Sequence, residues 1–322
     1  MNATTNQQQV PLMLAPLAGY SNLPFRLMAK KYGADAVTTE MISAKGLFYR
    51  DKKTAKLMAT CPEEAPAGIQ LFGSDPAIIE RVVAEQVNAT PFAFIDFNAG
   101  CPAPKIVKTG DGAALLNDLS RLEAIVRRMK AVSVKPVHVK IRLGWDAGHP
   151  VAVEAAKRIE AAGADVLTVH GRTREAFYSG TADWPAIAEV KAAVSLPVIA
   201  NGDIDSPEAA AAALAATGAD GLMVGRGAIG NPFIFREIKQ ALAGKTAAPP
   251  SVDERLQAAI DHVHLVTVMA ERVGPMVEMR KQLVAYTRGM PGSAALRRQI
   301  FTRSTGEELI ALLEAYREAQ SG

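Results

Sequence analysis

Short apolar runs recur along residues 1–244, and each is followed by a segment with helical periodicity. The runs are nearly continuous in apolar residues rather than alternating, as expected for parallel strands that are covered on both faces. Eight of them are candidate strands: Leu12–Pro16, Ala36–Glu40, Gly68–Phe72, Phe94–Asn98, Val137–Ile141, Val166–His170, Val198–Asn201 and Gly221–Val224. Eight units of strand and helix make a closed (β/α)8 barrel, so the pattern predicts a TIM barrel, an α/β fold, over residues 1–244.

Residues typical of helix ends support this division. Asp75 and Ser206 each precede a proline, as N-cap residues do, and Gly163 and Gly218 stand where helices should end before a strand. The alternative fold is a doubly wound open sheet, whose first strand is followed by a Gly-x-Gly-x-x-Gly turn. The sequence at that position is Ala18-Gly19-Tyr20, so the barrel is favoured.

The pattern changes after residue 244. Residues 245–250 read as a linker, Ser251-Val252-Asp253-Glu254 reads as a capping box, and residues 251–322 carry only helical periodicity. We therefore expect a small C-terminal helical domain. A basic window in this domain contains no Asp or Glu and holds Arg280, Lys281, Arg288, Arg297, Arg298 and Arg303. Such a run is either a solvated helix face or a surface that binds nucleic-acid phosphates.

Composition excludes several classes of protein. The chain has 322 residues, of which 49% are hydrophobic and 21% charged, so it is neither disordered nor of low complexity. Cys61 and Cys101 cannot form a disulfide framework, and His262 and His264 face different sides of a helix, so we expect no metal site. The polar segment Met1–Val10 and the lack of a long apolar run predict a cytoplasmic protein without a signal or membrane span.

Polar residues stand at or just after the ends of the predicted strands, where barrel enzymes place their active sites. They are Glu40, Gln70, Asn98, Cys101, Lys140, His170, Arg172, Asn201, Asp203 and Arg226. In a core these groups would be unsatisfied, so they predict a ligand pocket. Gly202 and Gly225 adjoin Asp203 and Arg226, and they predict a phosphate site after strands seven and eight because glycine lets backbone N–H groups approach an anion.

Gln70, Lys140 and His170 can form a wall against a planar heterocycle. An amide pairs with ring nitrogens and carbonyls, and a cation stabilises charge on a reduced ring. Lys140 can instead form a Schiff base, as in aldolases. Cys101 follows Gly100 and precedes Pro102, which indicates a loop. A thiol with an ordinary pKa near about 8.5 is mostly protonated at neutral pH and can donate a proton.

These motifs together resemble the bacterial tRNA-dihydrouridine synthases, most closely the DusB type, over nearly the whole chain. The segments that carry the resemblance, in chain order, are Ala15-Pro16-Leu17-Ala18-Gly19, Asn98-Ala99-Gly100-Cys101-Pro102, Val139-Lys140-Ile141-Arg142, His170-Gly171-Arg172-Thr173, Asn201-Gly202-Asp203-Ile204 and Val224-Gly225-Arg226. Each motif alone is weak, and the ordered set is specific.

The resemblance implies FMN as cofactor, NADPH as electron donor and reduction of a uridine in the tRNA D-loop to 5,6-dihydrouridine. Hydride would pass from flavin N5 to uracil C6, and Cys101 would donate the proton to C5. The implied flavin contacts are Pro16, Leu17, Ala18, Gln70, Lys140, His170, Asn201, Gly202, Asp203, Gly225 and Arg226. The implied substrate contacts are Asn98 on the uracil and Lys105, Arg172, Arg174, Arg280 and Lys281 on the tRNA. No stable protein partner is expected.

Three other functions stay open from the sequence. An FMN-dependent barrel oxidoreductase acting on a free pyrimidine or a small enone would share the phosphate site and would not need the basic window. An RNA-binding or regulatory protein on a degenerate barrel would not need Cys101, Lys140 and His170 together. A Schiff-base aldolase would use Lys140 alone.

Overall fold

The computed structural model describes residues 10–273 and 276–321; the N-terminal residues 1–9, on which the expected lack of a signal rests, lie outside this range. Eight parallel strands are hydrogen-bonded in the order β1-β8-β7-β6-β5-β4-β3-β2. They are β1 Leu12–Leu14, β2 Val37–Ser43, β3 Ala67–Phe72, β4 Phe94–Ala99, β5 Val137–Arg142, β6 Val166–His170, β7 Val198–Asn201 and β8 Gly221–Val224. A parallel bridge between Met13 and Ala36 joins β1 to β2. The predicted TIM barrel is confirmed.

Helices cover the outside of the barrel. They are α1 Leu23–Lys31, α2 Ala44–Phe48, α3 Lys52–Lys56, α4 Pro76–Val82, α5 Pro104–Val107, α6 Leu119–Val132, α7 Ala152–Ala161, α8 Trp184–Ala193, α9 Pro207–Thr217 and α10 Ile234–Leu242. The predicted caps are present: Asp75 accepts the N–H groups of Ala77 and Ile78, and Ser206 accepts that of Ala209. Gly218 ends α9 in the left-handed region, with φ +61.

The barrel interior is divided into an apolar layer and a polar layer. Met13, Phe94, Ile199 and Met223 pack together near the amino ends of the strands. Gly68 makes room for this layer, because a Cβ atom there would lie 2.1 Å from the Phe94 ring. The polar side chains of the strand ends lie above it. The barrel is therefore a filled core with one polar end.

The C-terminal region is helical, as predicted. It contains α11 Val252–Val268, α12 Ala270–Val273, α13 Met279–Tyr286, α14 Ser293–Thr302 and α15 Gly306–Ser321. Ser251 and Glu254 form the predicted capping box at the start of α11. Residues 245–250 carry no helix or strand. The division of the chain into two domains at this linker stays a prediction.

The helical region packs against the barrel through an apolar cluster and ion pairs. Met28 and Phe233 of the barrel share a buried cluster with α11, α13, α14 and α15. Lys31 pairs with Asp261 at 2.6 Å, and Arg236 pairs with Glu254 at 2.9 Å. None of the helices in the described part of the chain is long and apolar enough to cross a membrane.

Candidate functional site

A cavity of about 1090 Å³ lies at the carboxyl ends of the strands. Every residue that the sequence implied for the flavin lines it, and so do Asn98 and Cys101: the set is Pro16, Leu17, Ala18, Gln70, Asn98, Cys101, Lys140, His170, Asn201, Gly202, Asp203, Gly225 and Arg226. Residues of the linker and of the helical region close one side, among them Pro249, Pro250 and Arg288. The structure thus brings distant motifs together at one place.

The loop that carries Cys101 is held by hydrogen bonds at both sides. Asn98 Oδ1 accepts the backbone N–H of Cys101 at 2.9 Å, and the carbonyl of Cys101 accepts the N–H of Ala113 at 3.0 Å. Gly112, with φ +59, packs so closely that a Cβ atom would lie 2.8 Å from the Cys101 carbonyl oxygen. Burial raises the pKa of the Cys101 thiol, so the thiol is protonated at neutral pH.

Lys140 is a cation inside the barrel end. Its Nζ donates to Asn201 Oδ1 at 2.8 Å, and Asn201 Nδ2 donates to the carbonyl of Met223 at 2.7 Å. Burial and, to a smaller extent, the Arg142 charge lower the pKa of Lys140 to about 8, and the Asp96 carboxylate opposes this shift. The ammonium group therefore titrates near physiological pH, and an anionic ligand would stabilise its charged form.

His170 is held as a neutral imidazole. Burial strongly lowers its pKa, and the charges of Lys140, Arg142, Arg172 and Arg226 act in the same direction. Gly202 allows the ring to lie close to the next strand, since a Cβ atom there would be 2.9 Å from His170 Cδ2. A neutral ring can donate one hydrogen bond and accept one, so His170 can bind a polar ligand in either role.

The turns after β7 and β8 form a glycine-rich cradle. Gly202 and Asp203 both have positive φ, +118 and +53. Asp203 accepts from Arg172 on both oxygens, at 2.9 and 2.7 Å, and from Arg226 at 3.2 Å. Half of the Arg226 side chain stays exposed, so this guanidinium can bind an anion in the cavity. Arg172 is only 4% exposed and also donates to the carbonyls of Ser179 and Gly180.

The residues implied for tRNA lie in different places. Lys105 is exposed on α5, just beyond the Cys101 loop. Arg174 lies 4.6 Å from the Trp145 ring, and Arg280 donates to the carbonyl of Arg303. The Nζ atom of Lys281 lies 4.5 Å from the centre of the Tyr20 ring, and Tyr20 lines the cavity. The guanidinium of Arg172 is occupied by protein acceptors, so its predicted contact with tRNA has no support in this geometry.

Sequence reasoning missed three residues at the site. Arg142 donates to the carbonyl of Gly100 at 3.0 Å and to those of Thr173 and Phe177, so it joins the Cys101 loop to the loop after β6. Tyr178 lines the cavity, and the Cζ atom of Arg226 lies 4.8 Å from the centre of its ring. Asp96 lies opposite Gln70 on the neighbouring strand and accepts a hydrogen bond from its Nε2 at 2.6 Å. A signal for Asp96 existed: a charged residue two positions before Asn98 in an apolar strand faces the same interior side.

Two solved structures share the fold with little sequence identity. A histamine dehydrogenase from Rhizobium sp. 4-9 superimposes with a TM-score of 0.55 and 13% identity, covering 83% of this chain and 50% of that one. A 6-hydroxypseudooxynicotine amine oxidase from Pseudomonas geniculata N1 gives 0.56 and 15%, covering 83% and 52%. At this identity the likeness shows the fold alone.

Sequence relatives are far more similar. A probable tRNA-dihydrouridine synthase 1 from Synechocystis sp. is 41% identical over 305 residues, covering 94% of this chain and 85% of that protein. A tRNA-dihydrouridine synthase B from Pseudomonas aeruginosa is 40% identical over 296 residues, covering 89% and 87%. The model of the family described as dihydrouridine synthase (Dus) matches residues 13–321. The chain therefore belongs to the dihydrouridine synthase family, as its motifs predicted.

Proposed function

We propose that the protein reduces a uridine of the tRNA D-loop to 5,6-dihydrouridine in the cytoplasm, with FMN as cofactor and NADPH as the source of electrons. One observation carries the proposal: a protonated thiol, a buried cation and a glycine-rich cradle line the same cavity. Members of the family with 36–41% identity are named tRNA-dihydrouridine synthases, which supports the substrate class.

The residues present fit FMN. Gly202, Gly225 and Arg226 can take its phosphate, because glycine exposes backbone N–H groups and arginine binds phosphate in a planar fork. Pro16, Leu17 and Ala18 supply an apolar surface beside the ring. The cavity volume of about 1090 Å³ is at the upper end of ligand pockets, so it has room for a nucleobase as well.

Lys140 and Gln70 are the groups we assign to the ring itself. The ammonium group of Lys140 forms its hydrogen bond with Asn201, while Asp96, the carboxylate that affects its pKa, accepts from Gln70 instead. The charge of Lys140 is therefore not neutralised by a direct partner. A cation held in this way stabilises negative charge on a reduced heterocycle.

The protein's own residues contribute a proton, from Cys101, and the orientation of the uracil, by Asn98. When bound, FMN in its reduced form would supply the hydride for C6 of uracil. Cys101 then donates its thiol proton to C5, which is general acid catalysis, and the raised pKa keeps the thiol protonated for this task. We assign Asn98 to orienting the uracil, since it lies in the cavity between Gln70 and Cys101.

The RNA must present a base that has left its stack, as in other enzymes that modify bases. Lys105 and the exposed residues Arg288, Arg297 and Arg298 would bind the sugar-phosphate backbone, together with Arg174, Arg280 and Lys281. Contacts of this kind release counterions, so tRNA affinity should fall steeply with salt.

The decisive experiment compares substrates. Purified protein loaded with FMN is incubated with NADPH and either unmodified tRNA, free uridine and uracil, or 2-cyclohexenone, and the products are measured by mass spectrometry. We expect dihydrouridine in tRNA and no turnover of the small molecules. Turnover of a free pyrimidine or the enone without modification of tRNA would establish the oxidoreductase of small substrates instead. Failure of the protein to bind FMN would exclude both functions.

A further inference from the structure

Three buried polar side chains form a continuous chain of hydrogen bonds inside the barrel. Gln70 Nε2 donates to Asp96 Oδ2 at 2.6 Å, and Asn98 Nδ2 donates to Gln70 Oε1 at 2.9 Å. Asn98 Oδ1 accepts the backbone N–H groups of Gly100 at 3.1 Å and of Cys101 at 2.9 Å. This series of hydrogen bonds thus connects the Asp96 carboxylate to the backbone of Cys101, the residue that we assign as the acid.

The two ends of this chain determine the direction of each bond. Backbone N–H groups only donate, so the amide oxygen of Asn98 must face Cys101 and its NH2 group must face Gln70. Gln70 must then accept with its oxygen and donate with its nitrogen. An ionised carboxylate only accepts hydrogen bonds, so Asp96 permits this one arrangement of the two amides.

The strands hold the three side chains in rigid positions. Asp96 and Asn98 are two residues apart on β4, so both face the barrel interior, and Gln70 lies opposite Asp96 in the pairing of β3 with β4. Asp96 is 2% exposed and Gln70 is 1% exposed. Burial raises the pKa of Asp96 to about 6, and the hydrogen bond from Gln70 and the charge of Lys140 limit the rise. Asp96 is therefore mainly ionised at neutral pH.

We infer that Asp96 is a positioning residue for this reaction: through Gln70 and Asn98, its carboxylate fixes the orientation of the loop that holds Cys101. The inference rests on the proposed function only for the role of Cys101. Without the carboxylate, Gln70 can turn its NH2 group toward that of Asn98, and Asn98 loses its anchor. The Cys101 loop then loses the acceptor for two of its backbone N–H groups.

The first test measures the reactivity of Cys101, which does not depend on turnover. In FMN-loaded protein with Cys61→Ser, iodoacetamide labelling reports Cys101 alone, and its rate is followed against pH. We expect Asp96→Ala to speed labelling about tenfold, the effect of losing one buried hydrogen bond. The pH midpoint should also fall, because a loosened loop exposes the thiol and removes part of the burial that raises its pKa. Asp96→Asn, which can still present an oxygen to Gln70, should stay close to the parent protein.

A matched control is Asp165→Ala. Asp165 is another carboxylate of the barrel; it accepts from the backbone N–H of Val137 and from Lys130, and it lies at the amino end of the strands. This variant should lower stability and leave the labelling of Cys101 unchanged. Equal labelling of Asp96→Ala and the parent protein would overturn the inference, and so would a change of the same size in Asp165→Ala.

A double-mutant comparison of Asp96→Ala and Asn98→Ala distinguishes an effect that passes through Asn98 from a general loss of packing. If the effect passes along the chain, Asp96→Ala should add little to the labelling rate of Asn98→Ala, because the connection is already broken. Additive effects would contradict the inference. Should Asp96→Ala fail to fold, Gln70→Met breaks the same chain, leaves Asp96 in place and should give the same faster labelling; unchanged labelling there would refute the proposal.

Activity provides the readout that connects the two proposals. For tRNA reduction we expect Asp96→Ala to lower kcat about tenfold with KM for tRNA changed little, since the loop acts on proton donation rather than on RNA binding. If the parent protein makes no dihydrouridine while the labelling pattern holds, the proposed function fails and the action of Asp96 on Cys101 stands. If dihydrouridine forms and the labelling is unchanged by Asp96→Ala, only the inference fails.

Discussion

Arg172 and Asp203 form a two-pronged ion pair, in which the guanidinium donates to Oδ1 at 2.9 Å and to Oδ2 at 2.7 Å. The Arg172 side chain is almost entirely buried, whereas Asp203 faces the cavity cradle. The pair therefore holds the turn after β7 in place, and the pKa of Asp203 is lowered despite partial burial because Arg172 and the N–H of Ala182 bind its charged form.

Replacing Arg172 with alanine should destabilise the protein strongly. The change leaves Asp203 without its main partner and two carbonyls without a donor, so we expect a loss of about 3 kcal/mol in the free energy of unfolding, measured by urea denaturation. Arg172→Lys should recover only part of it, because an ammonium cannot make the paired contact. Unchanged stability combined with weaker tRNA binding would instead support the direct RNA contact expected from the sequence.

Replacing Cys101 with alanine should abolish proton donation and spare the cofactor site. We expect dihydrouridine formation to fall by about 10²–10⁴-fold, the usual contribution of a general acid. FMN affinity, measured by quenching of flavin fluorescence, should change little. Cys61→Ser is the control, since Cys61 does not line the cavity and should keep full activity. Retained activity in Cys101→Ala would remove this thiol from the reaction.

Lys140 makes the stability of the flavin-free protein depend on pH. Its pKa is lowered from 10.5 to about 8 in the folded protein, so between these values the unfolded chain binds more protons and stability should rise with pH. Lys140→Met should remove this dependence. It should also stabilise the flavin-free protein at pH 7, by about 2 kcal/mol after allowance for solvent screening. Urea denaturation at pH 7, 8, 9 and 10 tests this; a slope that persists in the variant would assign the titration to another group.

Gly230 should be essential for packing of the helical region on the barrel. It has φ +70, and a Cβ atom there would lie 2.4 Å from the Ala285 carbonyl carbon and 2.5 Å from the Tyr286 nitrogen. Gly230→Ala should therefore cost about 3 kcal/mol of stability through strain and overpacking. Gly218→Ala is the matched control: it also has positive φ, +61, but open space around it, and should cost about 1 kcal/mol. If the two variants lose equal stability in thermal or urea denaturation, the close packing of Gly230 against Ala285 and Tyr286 is unimportant.

The basic window can be divided by function. Arg297 and Arg298 are exposed on α14, whereas Arg280 donates to the carbonyl of Arg303. If the exposed pair binds tRNA phosphates, Arg297→Gln with Arg298→Gln should reduce the slope of log affinity against log salt by about 1–2 and leave stability unchanged. Arg280→Gln should lower stability as well as the slope, because the Arg280 guanidinium also donates to the Arg303 carbonyl. If the double variant has the same slope as the parent protein, Arg297 and Arg298 do not bind tRNA phosphates and the basic window is a solvated surface.

The sequence predicted the fold because a parallel barrel repeats one simple unit. Its strands are buried on both faces and therefore appear as apolar runs, and the polar residues at or just after the carboxyl ends of these runs mark the end of the barrel that holds the site. The limits of this approach are visible at β2. Glu40 ends the apolar run, yet the strand continues to Ser43, and the Glu40 carboxylate accepts the N–H of Gly19 instead of lining the cavity.

Contacts between distant segments were not predictable in the same way. No local pattern indicates that Arg172 pairs with Asp203 rather than with RNA, because both residues stand at strand ends and the choice depends on how two loops pack. The same holds for Lys281, whose position against Tyr20 requires the helical region to be placed on the barrel. Local periodicity determines which residues reach the site, while their partners depend on tertiary packing.

The apolar layer of Met13, Phe94, Ile199 and Met223 closes the barrel at its amino end. A solute cannot pass through the cylinder, so whatever enters the cavity from the carboxyl side must also depart on that side. If the proposed function holds, the dinucleotide reductant and the extruded nucleobase would need the same cofactor face; they would have to occupy it in turn, and each would inhibit the other at high concentration.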